Sequence, residues 1–120
     1  MRFVLIGLAG IAGAFTGSDA GAAGFFTGNE LLEACSATNG TTAYEYKSGI
    51  CSGYVLGIAD ELDLENAQLG RGSCFSDEVT LGQLRDVVLK YLQEHPEHRD
   101  LDAAVLVRSA FASAYPACRP

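Results

Sequence analysis

TAYEYKSGICSGYVLGIADEL, residues 42–62, is the stretch whose reading decides the fold. Ile50, Cys51, Tyr54, Val55, Ile58 and Leu62 recur in it at three- and four-residue steps, the spacing that puts side chains on one face of an α-helix. The segment reads as a long amphipathic helix with a well-defined core face. Gly49, Gly53 and Gly57 recur every four residues along one edge, although each costs about 1 kcal/mol of helix propensity relative to Ala. That repeat predicts a second backbone close against the edge, either within the core or across a homodimer seam. Glu45, Lys47, Asp60 and Glu61 in the same segment argue against burial in a membrane.

On either side of this helix, capping residues mark the others. Thr27-Gly28-Asn29-Glu30 is a T-x-x-E capping box, in which the Thr oxygen takes a free amide and the Glu carboxylate reaches back. Leu31, Leu32 and Cys35 follow on one face, and Asn39-Gly40 stops the turn. Thr80-Leu81-Gly82-Gln83 opens a third helix with a T-x-x-Q box, with Leu81, Leu84, Val87, Val88, Tyr91 and Leu92 as its stripe and Pro96 as its end. A fourth is predicted from Asp100 as N-cap, carrying Leu101, Ala104, Val105, Val107, Ala110, Phe111 and Tyr115 up to Pro116. Between the second and third helices, over residues 63–79, the periodicity lapses around Gly70-Arg71-Gly72-Ser73. The expected fold is all-α: a small disulfide-linked bundle of about four helices with one long loop.

The first residues read differently. After Met1-Arg2 an apolar run covers residues 3–15 and gives way to small residues around Ser18, Ala20, Ala22 and Ala23. A membrane-spanning helix needs roughly 20 apolar residues, so this is the layout of a secretory signal peptide rather than an anchor. Residues 1–22 are assigned to that leader, with cleavage near Ala20 to Ala23, and residues 23–120 to a single helical domain. Export places the protein in the periplasm. There an even cysteine count, Cys35, Cys51, Cys74 and Cys118, reads as a disulfide framework. A chain of about 100 residues buries only some 60–65% of its unfolded surface, and each crosslink adds roughly 2–4 kcal/mol. The preferred pairing is Cys51 with Cys74 and Cys35 with Cys118. Zinc is disfavoured because no two cysteines form a CxxC knuckle. The formal net charge of −7 repels nucleic acid and anionic membranes and favours a basic partner.

The chain offers little to catalysis. Its two histidines, His95 and His98, flank Pro96, which breaks the helix that would align both imidazoles. There is no G-x-S-x-G elbow, phosphate-binding glycine loop or H-E-x-x-H, and the disulfides claim every thiol. The expectation is a binding or structural protein, not an enzyme, with no catalytic residue, metal ligand or cofactor. The long loop is either a solvated connector or the functional element, since loops of that length often carry function. Asp63, Glu65, Arg71, Asp77 and Glu78 on it are the candidate partner-binding residues.

Several blocks in one order resemble a known family. They are Thr27 to Cys35 in the first helix, Cys51-Ser52-Gly53-Tyr54-Val55-Leu56-Gly57-Ile58-Ala59-Asp60 in the second, Cys74-Phe75, Val79 to Leu84, His95-Pro96-Glu97, and Tyr115-Pro116. Over nearly all of the mature chain they resemble the Rap/Tai-type immunity proteins, which protect bacteria from type VI secretion amidase effectors. The resemblance implies a periplasmic protein, commonly a homodimer, that binds a peptidoglycan-cleaving amidase and blocks its active site. Two other readings fit a small exported helical chain: a periplasmic acid-stress chaperone of the HdeA type, and a structural accessory subunit of an envelope complex.

Overall fold

Thr27 and Thr80 start helices as their boxes predict. The computed structural model describes residues 24–120, and four α-helices account for most of them: α1 (Gly28–Cys35), α2 (Tyr44–Gln68), α3 (Leu81–Glu94) and α4 (Ala103–Ala114). Single turns of 3-10 helix follow α3 at Pro96–His98 and α4 at Pro116–Cys118, each opened by the proline that ends the preceding helix. Strand pairing among the described residues amounts to one antiparallel bridge between Thr27 and Asp102, so the fold is all-α. The leader assigned to residues 1–22 and its cleavage region, Ala20 to Ala23, lie outside the described residues.

Both capping boxes close in both directions. Thr27 Oγ1 accepts from the Glu30 amide at 3.3 Å while the Glu30 carboxylate accepts from the Thr27 amide at 2.8 Å. At α3 the Gln83 amide donates to Thr80 Oγ1 at 3.2 Å, and Gln83 Oε1 accepts from the Thr80 amide at 2.8 Å.

A helix leaves its first four amides without intrahelical partners, and α1 and α4 solve this for each other. The amides of Gly28 and Asn29 donate to the carbonyls of Leu101 and Arg99 at 2.9 and 2.8 Å, and the Ala103 amide donates to the Phe26 carbonyl at 2.8 Å. Gly28 is needed at this crossing. A Cβ there would collide with Leu106 Cδ1 and stand 3.0 Å from both the Arg99 Cα and its carbonyl oxygen. The exchange also moves the start of α4. Its N-cap is Asp102, whose side chain makes no capping bond, and not Asp100 as the sequence suggested. The turn at residues 99–101 leaves the Arg99 and Leu101 carbonyls to serve α1.

The core runs through all four helices, with Leu31, Val55, Val88, Leu92, Val107 and Phe111 fully buried. Lys47 on α2 bridges to Glu33 on α1 at 2.7 Å, and this hydrogen bond, with the ammonium charge, holds the exposed Glu33 carboxyl below the usual carboxylate range.

Two disulfides cross-link the bundle, but not in the pairing expected. Cys35 bonds Cys51, with Cα atoms 5.0 Å apart, and Cys74 bonds Cys118 at 4.7 Å. The expected Cys51–Cys74 and Cys35–Cys118 bonds are both replaced. The physical reason is the length of α2. It continues to Gln68, carrying the chain about 25 Å beyond Cys51 at 1.5 Å per residue before any loop begins. Cys51 is left beside the end of α1, and Cys74 meets the tail instead.

The extension of α2 past residue 62 escapes the periodicity because the next inward position is Asn66, 7% exposed, where an aliphatic residue would have continued the stripe. Gly49, Gly53 and Gly57 also differ from expectation. Nothing lies within 4 Å of a Cβ built on any of them, and all three are exposed. They line the outer face of α2, not the core.

Open space at Gly53 and a crowded crossing at Gly28 predict opposite outcomes for the same change. Gly53→Ala should stabilise the fold by up to about 1 kcal/mol through helix propensity, and Gly28→Ala should destabilise it by more than that, both read by urea denaturation. Non-reducing peptide mapping should recover Cys35 linked to Cys51 and Cys74 linked to Cys118, with no Cys51–Cys74 peptide.

Candidate functional site

The segment that carries the candidate residues begins where α2 ends. Gly70 adopts a left-handed φ of 72°. Its amide donates to the Ala67 carbonyl at 3.1 Å, and the Arg71 amide donates to the Asn66 carbonyl at 2.8 Å. This is a Schellman close, satisfying carbonyls that the helix end would otherwise leave free. The loop therefore occupies residues 69–80, not 63–79.

Four attachments hold this loop against the bundle. The Asn66 side-chain amide donates to the carbonyls of Gly72 and Ala117, each at 3.4 Å. The Asp63 carboxylate accepts from Ser73 Oγ at 2.8–2.9 Å and from the Cys74 amide at 3.0 Å. The Cys74–Cys118 bond follows at once. Phe75 then sets its ring edge-on against Phe111 and Tyr115, with centroids 5.2 Å from each; burial there pushes the Tyr115 phenol pKa up.

These attachments divide the five candidate residues by role. Asp63 lies on α2 and faces the loop, so its carboxylate is used in holding Ser73 and Cys74. Glu65, also on α2, pairs with Arg108 of α4 at 2.5 Å, and Glu61 joins the same guanidinium at 3.3 Å. Arg71 is exposed just past the helix end. Asp77 and Glu78 occupy the far turn of the loop, closed by a 3.0 Å bond from the Val79 amide to the Ser76 carbonyl. Both are exposed, and among the described residues neither has an ion-pair partner. The structure thus brings Asp77 and Glu78 together as free carboxylates and commits Asp63 and Glu65 to the scaffold.

Sequence reasoning missed Asn66, Ser73 and Phe75 as loop anchors. Asn66 was accessible in principle, because it stands four residues after Leu62 on the same helical face. Ser73 and Phe75 depend on contacts across the fold and carried no local signal.

Among the described residues no group of His, Cys, Asp and Glu side chains is arranged to hold a metal ion, and every cysteine is in a disulfide. His95 places Nδ1 2.8 Å from the Tyr91 carbonyl and stacks on the Tyr91 ring at 4.1 Å, capping the end of α3. No described helix is long and apolar enough to cross a membrane. The arrangement is a stapled loop that ends in a free acidic turn.

No curated protein and no solved structure matches the chain significantly. The family model of the Rap1a immunity proteins matches residues 27–118, from the first capping threonine to the last disulfide cysteine, and the chain belongs to that family.

Proposed function

We propose that the protein binds and blocks a secreted peptidoglycan amidase, or a related cell-wall effector, in the periplasm, reached by way of the leader in residues 1–22. Membership of an immunity family over residues 27–118 carries this reading, and the loop of residues 69–80 supplies a physical means. Binding costs the entropy of ordering the contact surface. A loop already held by Asp63, Asn66, the Cys74–Cys118 bond and Phe75 has lost most of that freedom on folding. Asp77 and Glu78 at its turn face a partner with basic groups, so association is steered by charge and weakened by salt. Two disulfides suit an oxidising compartment.

The outer face of α2 supports homodimerisation. Gly53 and Gly57 leave it flat, and Tyr46 and Leu64, 74% and 60% exposed, stand at either end of the same stripe. A second copy crossing there would let backbones approach closely while the two large side chains cover the glycines.

An amidase encoded beside this gene is the natural test partner. Replacing both Asp77 and Glu78 by Ala should weaken inhibition at least tenfold and flatten its salt dependence, measured as the inhibition constant at low and high ionic strength. Unchanged inhibition would remove the turn from the interface. Separately, Gly53→Leu should convert a dimer to a monomer in size-exclusion chromatography while leaving helix content by circular dichroism intact; a variant that still elutes as wild type does would place the seam elsewhere.

A further inference from the structure

Beside the loop, between the end of α2, α4 and the C-terminal turn, lies a cleft of about 420 Å³. Leu62, Leu69, Val105 and Ala112 give it an apolar lining, beside which stand Arg71, Arg108 and Arg119. In a chain with eight Lys and Arg residues and a net charge of −7, three of those cations border this one depression. Glu65 and Pro120 line it as well, and the Glu65 carboxylate is taken up by Arg108.

The three guanidiniums are not equivalent. Arg108 is held by Glu61 and Glu65, so its charge is largely offset. Arg119 donates through Nε to the Ala112 carbonyl at 3.0 Å, which holds the side chain beside the cleft. Arg71 is set by the helix close, its own amide bonded to Asn66. Among the described residues neither Arg71 nor Arg119 has an ion-pair partner. Two uncompensated guanidinium forks therefore stand beside an apolar lining, and such forks match carboxylates with two parallel hydrogen bonds.

The lining argues for the size of the occupant. Leu69 and Val105 are 60% and 52% exposed, so the cleft is shallow, whereas a site for a small molecule encloses most of its ligand. A shallow apolar step flanked by positive charge suits one anchoring side chain on an extended segment of another protein.

We propose that this cleft takes an acidic segment of a protein partner, with one aliphatic or aromatic side chain seated on Leu69 and Val105 and neighbouring carboxylates on Arg71 and Arg119. The inference rests on the effector-binding reading above, since Leu69 and Arg71 begin the same loop that ends in Asp77 and Glu78. The interface then has a basic half and an acidic half on one rigid loop. Opposite charges at fixed separation admit a partner in one orientation and repel it in the reverse one.

The test uses the intact, disulfide-bonded protein, isotope-labelled for amide chemical-shift mapping. Its probes are the blocked peptide Asp-Leu-Phe-Glu, its counterpart Lys-Leu-Phe-Lys, and octanoate. The acidic peptide should produce saturable shifts at Leu69, Arg71 and Arg119, fade in high salt, and bind at least tenfold more weakly to the Arg71→Glu, Arg119→Glu double variant. Lys90→Glu, a charge reversal on the exposed side of α3 outside the cleft lining, should leave its binding unchanged. The proposal is overturned by an absence of saturable shifts, by equal binding of the lysine peptide, or by octanoate binding as tightly as the peptide, which would make this a small-anion site. Inhibition of the neighbouring amidase is read separately. Wild-type protein that fails to inhibit removes the proposed function and leaves the peptide result standing, whereas inhibition that survives the double Arg variant removes the cleft from the interface.

Discussion

The Cys74–Cys118 bond closes a 44-residue span that contains α3 and α4, and the placement of the loop of residues 69–80 and of the tail depends on it. On loop-closure entropy alone such a span is worth about 4 kcal/mol against the unfolded chain, compared with about 3 kcal/mol for the 16-residue span of Cys35–Cys51. These are large contributions beside a typical domain stability of roughly 5–15 kcal/mol. The bond does more than stabilise. It pins the loop of residues 69–80 to the tail, and the Asn66 side chain, bonded to carbonyls on both segments, aligns the two chains that the sulfur atoms join. At 3.4 Å those hydrogen bonds are long and contribute little energy. Their effect is on register, and the covalent bond carries the stability.

The helix termini follow a similar economy. Instead of capping each one separately, the fold lets α1 and α4 exchange carbonyls through Phe26, Arg99 and Leu101, which makes the arrangement of these two helices a condition of satisfying their amides. Gly28 permits the close approach. With α1 also bonded to α2 through Cys35–Cys51, α1, α2 and α4 are tied to one another by specific contacts, and α3 is held by its buried aliphatic side chains.

A rigid frame suits the inhibition proposed above. Charge on the surface is sorted: Asp63, Glu61 and Glu65 are consumed by Ser73, Cys74 and Arg108, which leaves Asp77 and Glu78 free at one end of the loop and Arg71 and Arg119 free beside the other. Burying an ion pair costs desolvation, but these free charges stand on exposed ground where approach is cheap and direction is gained. The outer face of α2, flat at Gly53 and Gly57, ends at Leu64 beside Glu61, Glu65 and Arg108.

How much of this was legible in the sequence follows the range of the interactions. The boxes at Thr27 and Thr80 span three residues, Pro96 and Pro116 act on their own neighbours, and the stripes of α2 and α3 repeat within one or two turns, so helix number and class could be read directly. The end of α2 could not, because the inward Asn66 looks polar until the carbonyls of Gly72 and Ala117 are in place. Among the five candidate residues the same rule applies: side chains of one chemical type, Asp63 and Asp77, differ in role only because one points at the Cys74 amide and the other at solvent. By itself the sequence determined an all-helical, cysteine-stapled chain with few means of catalysis, since local spacing and residue chemistry suffice for that. Tertiary structure alone decided which cysteines meet, which carboxylates remain free and which face the glycines line, because each depends on groups far apart in the chain being brought within a few ångströms.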